Sequence, residues 1–128
     1  MTEALLWIYL INGTLIITHE IDSAYWKEWE LFRLPGRINF FLVLHIFLVF
    51  IILLGIVLLI KNLLWGLVLS LILSIAGIFA FSIHRWFISK GHTEFKTPVS
   101  QSILFATLIV SLVQLVFTVY FFINGYSF

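Results

Sequence analysis

Long apolar runs, each closed by a short polar or turn-forming stretch, set the pattern of this chain. The first runs from Ala4 to about Trp26 and turns polar in its last third. The second covers about Ile38 to Ile60, the third Leu63 to about Ile83, and the fourth Val99 to Ile123. A helix needs about 20 mostly apolar residues to cross a bilayer, and all four runs reach that length. Leu34-Pro35-Gly36 ends the first helical region, because proline disfavours helix at the residue before it and glycine permits a turn. Lys61-Asn62 makes a tight polar hairpin, and Ser89-Lys90-Gly91-His92 reads as loop. Thr97-Pro98 is an N-cap followed by proline at the first helical position. The prediction is an all-α bundle of four transmembrane helices in one domain, residues 1–128.

Composition strengthens the membrane reading. The chain is 62% hydrophobic and only 10% charged, where a soluble domain carries about a quarter charged residues. Too few charges are present to cover a surface facing water. The first residues, Met1-Thr2-Glu3, lack the basic start of a secretory signal, so the first run is expected to stay as a mature helix. The scattered basic residues form no nucleic-acid patch. The absence of cysteine excludes disulfides, thiolate ligands and a cysteine nucleophile.

Charge then predicts orientation. Lys27, Arg33 and Arg37 follow the first span, and Arg85, Lys90 and Lys96 follow the third, whereas the other side holds only Lys61. The positive-inside rule puts the basic loops in the cytoplasm of a cytoplasmic-membrane protein, with both termini extracytoplasmic. Trp26, Trp29 and Trp86 are then expected at the cytoplasmic interface, and Trp7, Trp65 and Tyr126 near the other. Small and hydroxyl residues line one face of the third helix (Gly66, Ser70, Ser74, Gly77, then Phe81 and His84). The fourth has a matching stripe of Ser100, Thr107, Ser111, Gln114 and Thr118. Such stripes let helices approach closely and bond across their interface.

Candidate chemistry sits at the basic end. His19, Glu20 and Asp22 lie within or just below an apolar span, where carboxylates are costly and usually face a cavity, a partner or a metal. On a straight helix His19, Asp22, Trp26 and Glu30 share a face, which Asn12 extends upward. His45 lies in the second span, roughly 12 Å beyond Arg37, at a depth where it can face His19. His84 closes the stripe of the third helix. A divalent metal such as zinc is expected on His19, His45, His84 and Asp22, with Glu20 or Glu30 as general base. A site at this depth meets lipid headgroups, so a metal-dependent hydrolase of a lipid ester or amide is the leading expectation.

Other readings of the same residues stay open. In one, the protein is a non-enzymatic regulatory or assembly component. Its carboxylates then pair with Lys27, Arg33, Arg37 or Arg85, and its histidines lock the helices. In another it is a small transporter or proton pathway, which needs Asn12, Ser70 and Thr118 as outer steps. A haem held by His19 and His45 is a fourth. His92 and Glu94 read as solvated loop residues. Besides lipid, a second copy or another membrane protein is a candidate partner.

The run from Thr18 to Phe32, with His19-Glu20-Ile21-Asp22-Ser23-Ala24-Tyr25-Trp26 at its heart, is followed by Leu34-Pro35-Gly36 and the His45 helix. Together these resemble a family of small bacterial four-helix membrane proteins of unknown function. The resemblance implies architecture and no activity. The run is also similar to a membrane group named for a His-x-x-Glu-Glu motif, but Asp22 and Ser23 stand where that motif has its two glutamates.

Overall fold

The computed structural model describes residues 3–124. These form four long helices, α1 (Glu3–Tyr25), α3 (Arg37–Ile60), α4 (Leu64–Ser89) and α5 (Pro98–Ile123), with a one-turn helix α2 (Glu28–Leu31) between the first two. The structure is 84% helix and has no strand among the described residues. All four long helices are long and apolar enough to cross a membrane, and this is a multi-pass membrane protein. Helices suit that setting because each satisfies its own backbone where no water can.

Two boundaries differ from the sequence expectation, each for a local reason. α4 runs six residues beyond Ile83, to Ser89, because nothing before Gly91 breaks it; Gly91 then takes a left-handed φ of 94°. The first helical region stops at Tyr25, because Lys27 turns left-handed at φ 53° and redirects the chain into α2. Gly36, at φ 81°, starts α3. The expected cap of α5 is present: Thr97 Oγ1 accepts from the Ser100 amide at 3.1 Å, with Pro98 next in the chain.

α4 and α5 pack on each other along their small-residue stripes. Ser70, Ser74, Gly77, Ser100, Thr107, Ser111, Gln114 and Thr118 are buried. α1 lies against α5, α4 and α3, whereas α3 and α5 do not meet among the described residues. A hydrogen-bonded ladder crosses the centre. Asn12 Nδ2 donates to Gln114 Oε1 at 2.7 Å and to Ser111 Oγ at 3.0 Å. Gln114 Nε2 in turn donates to the Ser70 carbonyl at 3.0 Å and its hydroxyl at 2.9 Å, and Ser70 meets Thr118 at 2.8 Å. This ladder ties α1, α4 and α5 in register without help from any histidine. Large apolar side chains such as Phe47, Ile109 and Val116 point outward, where lipid is the solvent.

At the Lys61–Asn62 end, α3 and α4 touch backbone to backbone. A Cβ on Gly66 would stand 2.7 Å from the Leu59 nitrogen and 2.9 Å from the Leu58 carbonyl carbon. Backbone on both sides leaves nothing flexible to give way. Gly66→Ala is therefore expected to part the hairpin and destabilise the bundle by about 1–3 kcal/mol, a typical overpacking cost. Reversible unfolding in mixed micelles measures this, and an unchanged midpoint would contradict the packing. From this tight contact α3 and α4 diverge toward the basic end, where α1 and α2 line the space between them.

Candidate metal centre

The kink at Lys27 builds the centre. It tucks α2 beneath the bundle so that Glu28 and Trp29 are buried, with Trp29 packed on Phe41 of α3. Glu28 then joins His19 of α1 and His84 of α4. One ligand atom from each of these three residues lies within 4.8 Å of the other two. His84 Nε2 is 3.5 Å from Glu28 Oε1. Tetrahedral ligands about 2.1 Å from a zinc-sized ion stand roughly 3.4 Å apart, so this pair is already at ligand spacing.

A backbone hydrogen bond assigns the tautomer of His84. His84 Nδ1 lies 2.8 Å from the Ala80 carbonyl, which can only accept, so Nδ1 carries the proton. Its Nε2 is left as a lone pair, buried and without a hydrogen-bond partner. His19 Nδ1 is also buried and partnerless, while its Nε2 faces Ser23 Oγ at 3.5 Å. The rings stand edge to face, 4.5 Å between centroids. Phe95, in the loop before α5, packs on both at 5.6 and 4.2 Å and is buried at a left-handed φ of 64°. An imidazole that donates its far N–H to a backbone carbonyl and keeps a buried lone pair free is oriented as metal-binding histidines are.

The remaining candidates from the sequence fall elsewhere. His45 does not face His19. Its Nδ1 donates to the Phe41 carbonyl at 2.6 Å, and its Nε2 meets Glu20 Oε2 at 2.6 Å. The two contacts fix the His45 ring between α1 and its own helix. Asp22 Oδ1 accepts from Trp26 Nε1 at 3.0 Å and Oδ2 is buried without a hydrogen-bond partner, but Asp22 is not one of the three converging ligands. Glu30 is exposed, on a surface groove with Arg33, Lys90, His92 and Glu94. No carboxylate pairs with lysine or arginine among the described residues; the basic groups within 4.0 Å of a carboxylate oxygen are all histidines. Tyr126 lies outside the described residues. Trp29 is buried where an interfacial anchor was expected, whereas Trp7, Trp65 and Trp86 are exposed.

His19, Glu28 and His84 line a cavity of about 260 Å³ together with Glu20 and His45. The converging ligands and the Glu20–His45 pair thus share one space. Burial pushes the Glu28 carboxyl up from 4.5 to about 7, against the lowering effect of a Ser23 side-chain hydrogen bond, with the Glu20 carboxylate adding to the rise and His45 opposing it. In metal-stripped protein, the stability from keeping this carboxyl neutral is fully present below about 4.5 and is lost as pH rises to about 7. The thermal midpoint is expected to fall across that window, and Glu28→Gln, always neutral, to flatten the fall. A parent profile already flat there would mean that Glu28 is not buried as described.

No match is found among curated proteins or among solved structures. A family model described as "Family of unknown function (DUF6713)" matches residues 5–121, nearly the whole described helical bundle. The chain therefore belongs to the DUF6713 family.

Proposed function

We propose that this protein is a metal-dependent hydrolase of the cytoplasmic membrane, with a divalent ion such as zinc held by His19, Glu28 and His84. One observation carries the reading: two buried imidazole nitrogens without hydrogen-bond partners sit beside a carboxylate at ligand spacing. Leaving such groups unsatisfied in an apolar interior costs about 1–3 kcal/mol each, and a bound cation removes that cost. A two-histidine, one-carboxylate set is a known catalytic zinc set, and three protein ligands leave one position open. The ladder through Asn12 and Gln114 already sets the register of α1, α4 and α5, so His19 and His84 are not needed as a lock.

A bound ion of this kind supplies water activation near neutral pH. The protein's own contribution to a hydrolysis would be positional. Glu20 would accept the proton of the attacking water, with His45 holding the carboxylate toward the cavity. The rest of the lining, including Trp29, Phe41, Phe79 and Ile83, is apolar and would limit bulk water. The basic loops favour a cytoplasmic-side position for the site.

The test begins with elemental mass spectrometry on protein purified in detergent without chelator. The proposal expects close to one divalent ion per chain, removable by chelator and restored by zinc. Absence of metal both before and after zinc addition would overturn it and favour a non-enzymatic role for the cluster.

A further inference from the structure

The histidine cavity lies between two others that share its walls. Toward the membrane interior it shares Leu44, Leu48 and Ala76 with an apolar groove of about 310 Å³ between α3 and α4, floored by Tyr9 and Ile16 of α1. Toward the basic end it shares Phe32 with the surface groove that holds Arg33 and Lys90. Three compartments of different chemistry therefore follow one another: apolar, then His/Glu, then charged and open. From Glu20 to Tyr9 the floor covers roughly 16 Å of helix, close to half of a hydrocarbon core about 30 Å thick. That is the reach of one acyl chain within one leaflet.

We infer that this path binds a glycerophospholipid, with one acyl chain in the α3–α4 groove, its ester linkage at the His19–Glu28–His84 cavity and its phosphate against Arg33 and Lys90. The order of the compartments is the order of the lipid's parts. The groove opens sideways, since its wall residues Leu44, Phe47 and Ile72 are exposed to the bilayer. A chain can thus enter from the leaflet without leaving the apolar phase. Arg33 and Lys90 form no ion pair with a carboxylate among the described residues, although Glu30 and Glu94 are on the same groove. Both cations therefore remain available to phosphate oxygens, which Arg recognises in bidentate fashion. The substrate class proposed here rests on the hydrolase reading above, but occupancy of the groove does not require the metal.

The experiment uses the full chain in nanodiscs carrying a trace of phosphatidylethanolamine with a mid-chain diazirine. Labelled sites are mapped by peptide mass spectrometry, with metal content read on the same samples. Labelling is expected to concentrate on groove residues such as Leu48, Ile52 and Ile72 over the lipid-facing side of α5 at Ile109 and Val116. Filling the junction with Ala76→Phe, or independently with Leu44→Trp, should lower groove labelling about tenfold, an effect of ordinary overpacking size. Ile75→Phe, exposed on the same helix but off the groove, should change nothing. A diacylglycerol probe with the same chain should label the groove less, as should the phospholipid probe on an Arg33→Gln/Lys90→Gln variant. Even labelling around the bundle would overturn the inference, because it describes annular lipid alone. Equal labelling by diacylglycerol would overturn the phosphate contact. Groove labelling in protein that takes up no metal would leave the lipid path standing and remove the hydrolase reading. Metal uptake with even labelling would do the reverse.

Discussion

His84→Ala is expected to lower divalent-metal affinity by more than about 100-fold, since even outer-shell partners of a ligand are worth about 10–100-fold. His19→Ala should act alike, and Glu28→Gln somewhat less, because an amide oxygen can still coordinate without its charge. The control that gives these losses meaning is His45→Ala. His45 is committed to Phe41 and Glu20 at 2.6 Å each and stands outside the converging group, so this variant should keep the parent's metal. Competition against a chromophoric chelator measures the affinities, beside elemental analysis. A second readout separates a ligand from a structural lock. His84 Nε2 gains nothing from a hydrogen bond in metal-free protein, because none is made. An apolar replacement of similar breadth, His84→Leu, removes the unsatisfied Nε2 together with the Nδ1 bond to the Ala80 carbonyl, and the two losses should offset to leave metal-free stability about level. A lock histidine would show the opposite: a lower midpoint without metal and no change in metal content. Equal metal loss from His45→Ala would also defeat the assignment, because it would place the ion at another group.

The architecture was legible because lipid imposes simple rules: four apolar runs of spanning length, ended by Pro35-Gly36, Lys61-Asn62 and Thr97-Pro98. The inward stripes were legible for the same reason, small and hydroxyl residues returning at helical spacing to meet another helix. The candidate site was legible only in part. His19 and His84 were singled out as ligands, and the structure places them ring to ring. Glu28 is hidden from a straight-helix projection of the sequence. Nine residues at about 100° each turn Glu28 to the side opposite His19, and eleven bring Glu30 back almost onto it. The left-handed Lys27 interrupts that count. It tucks Glu28 under the bundle beside His84 and leaves Glu30 exposed. A lysine with positive φ carries no strong sequence signal, since glycine or asparagine is the usual occupant of that conformation. Phe95 was hidden for a similar reason: a loop aromatic at a left-handed φ gives no periodic pattern, yet it packs on both histidines. His45 lines the same cavity as His19, but Glu20, a quarter turn from His19, meets it first.

Glu20→Gln is expected to reduce hydrolysis of a phospholipid ester by about 10²–10⁴-fold, the range that a positioned general base supplies, while metal content stays at the parent's level. Two features single out this residue. Its carboxylate lines the same 260 Å³ cavity as the three ligands, yet it is not one of them. It also meets His45 Nε2 at 2.6 Å, and His45 is held in turn by the Phe41 carbonyl. A carboxylate so anchored is fixed in direction, which a free surface carboxylate is not. His45→Gln should therefore fall between parent and Glu20→Gln: the base remains, but its orientation loosens. Glu30→Gln, exposed on the neighbouring groove, should match the parent in turnover and metal, and it tests the straight-helix alternative directly. The assay is release of a fluorogenic acyl chain in nanodiscs, with turnover divided by bound metal so that a loading defect cannot pass as a catalytic one. If Glu20→Gln turns over like the parent at full metal, the base lies elsewhere and the Glu20–His45 pair is a tie between α1 and α3. If Glu30→Gln is the slow variant instead, α1 and α2 adopt the continuous helix in the membrane, and the ligand set must be redrawn around it.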